Sequence, residues 1–243
     1  VLPGQVMTAL GLGEIVALNS DKYSEGQKVT CSLFWQDYCI VNESAVLNVI
    51  PDIGLPLTVF LDVLGLTGLT AYFGLLEVAK LKPSDTIIVS AALGATGSMC
   101  IQIAKNVIGC KKVIGISGSQ EKCNFVESLG ADKCVNHNDK DFKNELKKAL
   151  GEEKYCDVFF DGVGGRLLDQ VMTVVKQHGT VVACGAISGY EDVRKGAVYN
   201  WGEIILNRLQ VKGFIVLDFA EKFSKAVQDI STWVKAGKIK TDN

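Results

Sequence analysis

The sequence predicts an α/β fold, a doubly wound parallel sheet preceded by a smaller β-rich segment, on three observations. After about residue 85, apolar β-branched runs alternate with helical patterns to near the end of the chain, the signature of strands joined by crossover helices. The first of those runs passes directly into a glycine turn and a helix, within "TIIVSAALGATGSMCIQIAKN" (Thr86 to Asn106). Before about residue 60 the pattern is different, with short β-rich runs separated by turn formers. A chain of 243 residues that is 48% hydrophobic can bury a large core of this kind.

In chain order, "GEIVALN", "GQKVTCSL" and "QDYCIVN" read as strands of the β-rich segment, divided by turns such as "NSDKYSEGQ". "LDVLGLTGLTAYFGLLEVAKLKPSD" then switches to helical spacing and leads into the sheet. The sheet strands are "TIIVSA", "KKVIGIS", "KCVN", "CDVFFDG", "GTVVACG" and "VKGFIVL", with helices over about 98–106, 119–129, 142–150, 166–176 and 201–209. The expected domains are therefore 1–60, β-rich, and 61–243, a Rossmann-type sheet. No internal repeat or low-complexity segment competes with this division.

Composition narrows the function. The net charge of −2, with lysines and carboxylates interspersed, leaves no basic stripe, so nucleic acid is not an expected partner. Apolar runs break well before the roughly 20 residues of a spanning helix, and no signal peptide opens the chain, so no membrane partner is expected. The eight cysteines lack C-x-x-C spacing and several lie in apolar strand or helix contexts. They read as free thiols of a reducing, cytoplasmic protein, in which the sequon Asn42-Glu43-Ser44 is accidental. The two histidines, His137 and His178, have no metal-like spacing to further ligands, so no metal is expected.

Against G-x-G-x-x-G the turn offers Ala92, Gly94 and Gly97, with alanine in the first place. Alone this leaves a nucleotide cradle and a plain tight turn both open. Its position after the first strand of a six-strand alternation ties it to the place where such folds hold dinucleotides, with the helix N-terminus facing the pyrophosphate. The second strand ends not in a carboxylate but in Gly118 and Ser119, with Lys122 one turn into the next helix. An ammonium and a hydroxyl there attract a 2′-phosphate that a carboxylate would repel, which favours NADP over NAD. The alternative is a solvated lysine paired with Glu121 or Glu127.

"GLTGLTAYFGLLEVAKLKPSDTIIVSAALGATGS", "GSQEKCNFVESLGADKCVN", "FFDGVGG" and "VVACGAISGY" together resemble the zinc-independent medium-chain dehydrogenases/reductases, in their prostaglandin reductase and alkenal double-bond reductase branch. The resemblance covers nearly the whole chain and is strongest from about Gly65 to Tyr190. It implies that the β-rich segment is part of a GroES-like catalytic domain. It also implies that the loop Ala91, Gly94, Ala95, Thr96 and Gly97 cradles the pyrophosphate of NADP(H), and that Lys122 binds the 2′-phosphate.

Where the family often has a tyrosine beside that phosphate this chain has His137, which can still donate a hydrogen bond or can lie in solvent. The family's "DNVGG" is Asp161-Gly162-Val163-Gly164-Gly165 here, so Gly162 lacks a usual asparagine contact. Cys184, Gly185, Ile187 and Ser188, from "CGAIS", match the loop facing the nicotinamide, and Tyr190 matches the tyrosine beside the substrate carbonyl; the other role for Tyr190 is an aromatic lid or packing residue. Phe214, Ile215 and Val216 match backbone that holds the carboxamide, with Thr70 nearby.

The implied reaction is NADPH-dependent reduction of the carbon–carbon double bond of an enone or enal. A quinone reductase of the same superfamily and a non-catalytic NADP-binding sensor or scaffold are the alternatives. A homodimer is expected, through the apolar final strand. Relative to the family the chain is expected to lack N- and C-terminal segments.

Overall fold

The structure, a computed structural model, describes residues 3–241. The chain divides into two compact units, residues 1–65 and 66–243.

The first unit is an antiparallel sheet of β1 (Thr8–Glu14), β2 (Lys28–Phe34) and β3 (Val46–Val49), in that order. On β2, Val29 and Cys31 are buried while their neighbours are less so, the alternation of a sheet covered on one face. Two strands lie away from their expected places. The first runs over 8–14 rather than 13–19, because Gly11 and Gly13 are strand residues here: a Cβ on Gly11 would stand 2.7 Å from Leu33 Cδ1 of the paired strand. Glycine weakens a strand signature in sequence, yet here it makes room for a neighbour. The expected strand at 36–42 is loop, and the third strand starts after Asn42, whose Oδ1 accepts from the Ser44 N–H at 3.0 Å and caps a short 3-10 turn.

The second unit is a six-stranded parallel sheet in the order β6-β5-β4-β7-β8-β9. Its strands are β4 (Thr86–Val89), β5 (Lys112–Ser117), β6 (Lys133–Asn136), β7 (Cys156–Asp161), β8 (Val175–Ala183) and β9 (Gln210–Gly213). The helices are α1 (Leu66–Phe73), α2 (Ala95–Gln102), α3 (Gln120–Ser128), α4 (Phe142–Leu150), α5 (Gly165–Met172), α6 (Trp201–Leu206) and α7 (Phe223–Lys235), with π-helical turns extending α1 and α2. Thr86 to Val89 are buried throughout, as a central parallel strand covered on both faces must be. Ile88, Ile114, Phe159 and Val181 are fully buried in adjacent strands, and α4 lays Phe142, Leu146 and Leu150 against that core at i, i+4 and i+8. Each such side chain stabilises the fold by about 1.5–3 kcal/mol.

From β4 the order runs outward through β5 and β6 on one side and through β7, β8 and β9 on the other. The crevice at the carboxyl ends of β4 and β7 is thus the switch point at which such sheets bind ligands. Two boundaries matter for it. Helix α2 begins at Ala95, three residues before the expected 98, so Ala95, Thr96 and Gly97 form its first turn. The last strand stops at Gly213 instead of running to Leu217, because a 3-10 segment begins at Val216.

Candidate functional site

A cavity of about 320 Å³ opens at that switch point. One side is the turn from Ala91 to Gly97, with Ser90 at its base. The turn is tight: Gly94 N–H donates to Ala91 O at 2.8 Å, Ser98 N–H to Gly94 O at 2.8 Å, and Ala91 takes a left-handed φ of 46°. A Cβ on Gly97 would stand 2.2 Å from Ala91 O and 2.9 Å from both Ala91 C and Ala92 Cα, so only glycine fits. The consequence is a helix N-terminus, capped by Gly94 without a side chain, whose first-turn residues Ala95, Thr96 and Gly97 line the cavity, an arrangement that suits anions.

The other side comes from β7 and β8: Phe160, Gly162, Cys184 and Gly185. Gly162 is the reverse of Gly97, since a Cβ there would meet nothing within 4 Å. Burial pushes the Cys184 thiol up to about 11, with the nearby Asp161 charge adding to it. Thr67 of α1 closes the lining. Thr70, expected here from sequence, spends its hydroxyl on Leu66 O at 2.6 Å within its own helix.

The remaining expected residues lie outside the lining. Gly118 and Ser119 end β5; Ser119 Oγ accepts from Lys122 N–H at 3.2 Å and caps α3. Lys122 is exposed, and among the described residues it has no acidic partner, Glu127 facing Lys133 and the Cys134 N–H instead. His137 is exposed just past the end of β6, and a Cβ built on Gly118 would lie 3.3 Å from its Nε2, so histidine and glycine meet at the two strand ends. Ile187, Ser188 and Tyr190 belong to a short turn after β8. The Tyr190 hydroxyl accepts from Ala186 N–H at 3.2 Å and sits 3.3 Å from where a Gly185 Cβ would be, beside the cavity wall. Accepting that bond leaves its own proton available to a ligand oxygen. Phe214 packs its ring on Gly74, next to Phe160, while Ile215 is exposed and Val216 opens the 3-10 segment.

Sequence reasoning passed over Ser90, Phe160 and Asp161 as site residues. Asp161 is 1% exposed; its Oδ1 accepts from Ser90 Oγ at 2.7 Å and from Val163 N–H at 3.0 Å, and its Oδ2 from Gly164 N–H at 2.9 Å. Burial pushes its carboxyl above the usual range, and these hydrogen bonds oppose the shift. The motif from Asp161 to Gly165 marks one end of this network, but no sequence signal marks its partner, because Ser90 and Asp161 meet only through strand register.

Sheet order, glycine turn and cavity define a dinucleotide-binding α/β fold. A family model described as zinc-binding dehydrogenase matches residues 95–232. Prostaglandin reductase 1 from Sus scrofa is 36% identical over 97% of this chain and 72% of that protein. 2-alkenal reductase (NADP(+)-dependent) from Nicotiana tabacum is 33% identical over 98% of this chain and 68% of that protein. The crystal structure of CurA in complex with NADPH from Vibrio vulnificus superposes with a TM-score of 0.88 at 32% identity, covering 97% of this chain and 71% of that one. The chain belongs to the medium-chain dehydrogenase/reductase family, in its zinc-independent alkenal and prostaglandin reductase branch. Among the described residues no three His, Cys, Asp or Glu side chains are grouped to hold a metal, and no helix is long and apolar enough to cross a membrane.

Proposed function

We propose that this protein binds NADPH at the switch-point cavity and reduces the carbon–carbon double bond of α,β-unsaturated ketones or aldehydes, of alkenal or oxoprostaglandin type. The observation that carries the reading is the turn from Ala91 to Gly97, where backbone fills the space a side chain would occupy and presents a helix N-terminus to the cavity. The residues fit the cofactor's chemistry. The helix N-terminus suits a pyrophosphate, the open space over Gly162 admits a flat group, and the end of β5 offers Lys122 where an NAD-specific site would offer a carboxylate.

NADPH supplies a hydride when bound. The chain's own task is to place the enone so that its β carbon receives that hydride, and to stabilise the negative charge that develops on the carbonyl oxygen. The Tyr190 hydroxyl is assigned that second role, because its oxygen is oriented by Ala186 N–H and its proton is free to donate. Gly94, Ala95, Thr96 and Gly97 are assigned to the pyrophosphate, Ser119, Lys122 and His137 to the 2′-phosphate, and Gly162, Cys184 and Gly185 to the nicotinamide end.

We also propose a cytoplasmic homodimer. Support comes from β9, which lies at the sheet edge with Val211, Ile215 and Leu217 exposed on and after it, an arrangement that a second copy can extend. Light scattering returning a monomer at micromolar concentration would remove the dimer, and recovery in the membrane fraction of a cell lysate would remove the location.

The decisive assay is NADPH oxidation with a short-chain enone, with a quinone and with no acceptor. Turnover of the enone supports the reading. Turnover of the quinone alone, or NADPH binding without turnover of either, refutes it.

A further inference from the structure

The cavity is framed by three strand ends that are far apart in the sequence, and one residue bonds to all of them. Through its carboxylate, Asp161 holds Ser90 at the end of β4 and the Val163 and Gly164 N–H groups of the turn after β7. Through its backbone oxygen it receives Cys184 N–H at 2.8 Å and Gly185 N–H at 3.2 Å, at the end of β8. Ser90 Oγ returns a bond by accepting Gly162 N–H at 2.9 Å. The same turn carries the tyrosine loop, since Val163 O accepts Ser188 N–H at 3.1 Å.

Among the described residues no cation pairs with this carboxylate, although it is buried. A buried charge without a counter-charge is costly for folding, and an asparagine would spare that cost. What asparagine cannot do is accept on both termini: Oδ1 takes two donors and Oδ2 a third, and an amide would aim N–H at one of them.

We propose that Asp161 is a positioning residue for the dinucleotide: its carboxylate fixes Ser90 and the 162–164 turn so that Gly162, Gly185 and, through Ser188, the Tyr190 loop stand at the distances that the bound cofactor requires. This rests on the NADPH reading above.

The test compares Asp161→Asn and Ser90→Ala with Asp169→Asn in the intact protein, measuring NADPH affinity by fluorescence, KM and kcat with an enone, and thermal stability. Asp169 is also buried and also accepts two backbone N–H groups, from Tyr199 and Asn200, but bonds to nothing lining the cavity. It therefore reports what loss of a structural carboxylate does.

Asp161→Asn is expected to weaken NADPH binding about 10-fold, the scale of one hydrogen bond to the cofactor lost. Its melting temperature should fall no further than that of Asp169→Asn, which should keep wild-type affinity. Ser90→Ala should move affinity in the same direction by less, and it decides the matter if Asp161→Asn does not fold. Wild-type affinity in Ser90→Ala together with Asp161→Asn, or affinity losses in Asp169→Asn as large as those of Asp161→Asn, would overturn the proposal. Failure of the wild type to bind NADPH would overturn the cofactor reading and this proposal with it.

Discussion

Replacing Gly97 by alanine asks a steric question with a calculable answer. The new methyl would stand 2.2 Å from Ala91 O, with Ala91 C and Ala92 Cα at 2.9 Å, all of them backbone. No rotamer relieves this, so the turn must retreat by about 1 Å to restore ordinary contact. Overpacking of this kind costs about 1–3 kcal/mol. Alanine returns part of that, since it loses about 0.4–1 kcal/mol less to unfolded-chain freedom than glycine. The net destabilisation spans about 0–2.6 kcal/mol, and with the contact as short as this and wholly to backbone the upper half of that range, about 1.3–2.6 kcal/mol, is expected, lowering the melting temperature by about 3–10 °C in a chain of this size. The retreat also withdraws the helix N-terminus from the pyrophosphate assigned to it, and loss of one charge-assisted bond, about 1.5–3 kcal/mol, weakens binding about 10- to 150-fold. Calorimetry and NADPH fluorescence titration read the two effects separately. A variant that melted with the wild type and bound NADPH equally well would refute both the steric account and the assignment of this turn to the pyrophosphate.

Three further perturbations test other parts of the structure. Tyr190→Phe should lower kcat about 10²- to 10³-fold, the usual result of deleting a donor to a developing oxyanion, with melting unchanged because the side chain is 71% exposed; steady-state kinetics and calorimetry check it. Lys122→Ala should weaken NADPH about 10- to 100-fold through loss of a charge-assisted bond while leaving NADH affinity unchanged, and added salt should shrink the difference. In Tyr72, burial and then the hydrogen bond to Asp229 at 2.8 Å push the phenol up to about 12 from 10.0. A raised value means the contribution is complete below pH 10 and is lost as pH rises toward 12. Tyr72→Phe keeps the stacking on Trp233 but should cost about 1.5 kcal/mol, the low end for a bond to a charged group, because Asp229 also pairs with Lys225. Denaturant titrations at several pH values should show the gap narrowing only above pH 10.

What could be read in the sequence was what is local. Strand β6 and helix α4 lie at their expected bounds, since Lys133–Asn136 and Phe142–Leu150 each carry their own period and stops. The glycine turn was legible because close approach and cap are encoded within a few consecutive residues. Strand β1 was displaced for a tertiary reason, since Gly11 becomes a strand residue because Leu33 of the neighbouring strand fills the space above it, whereas β3 was displaced by the local cap that Asn42 gives to the turn before it. Thr67 and Thr70 share one helix and one residue type, and only packing decides which lines the cavity. The partnership of Ser90 with Asp161 spans 71 positions and exists through the pairing of β4 with β7.

The two contrasting glycines of the cavity carry a lesson about tolerance. At Gly97 the obstacle to any larger residue is the protein's own main chain, whereas at Gly162 there is open space within 4 Å. A library of variants selected only for abundance should accept many residues at 162 and almost none at 97. The same library selected for turnover should still accept almost none at 97 and should narrow the choice at 162, with asparagine, the family's usual residue there, among those kept. The positions where two such selections disagree would trace the outline of the bound cofactor, and residue 162 is where that outline should first show.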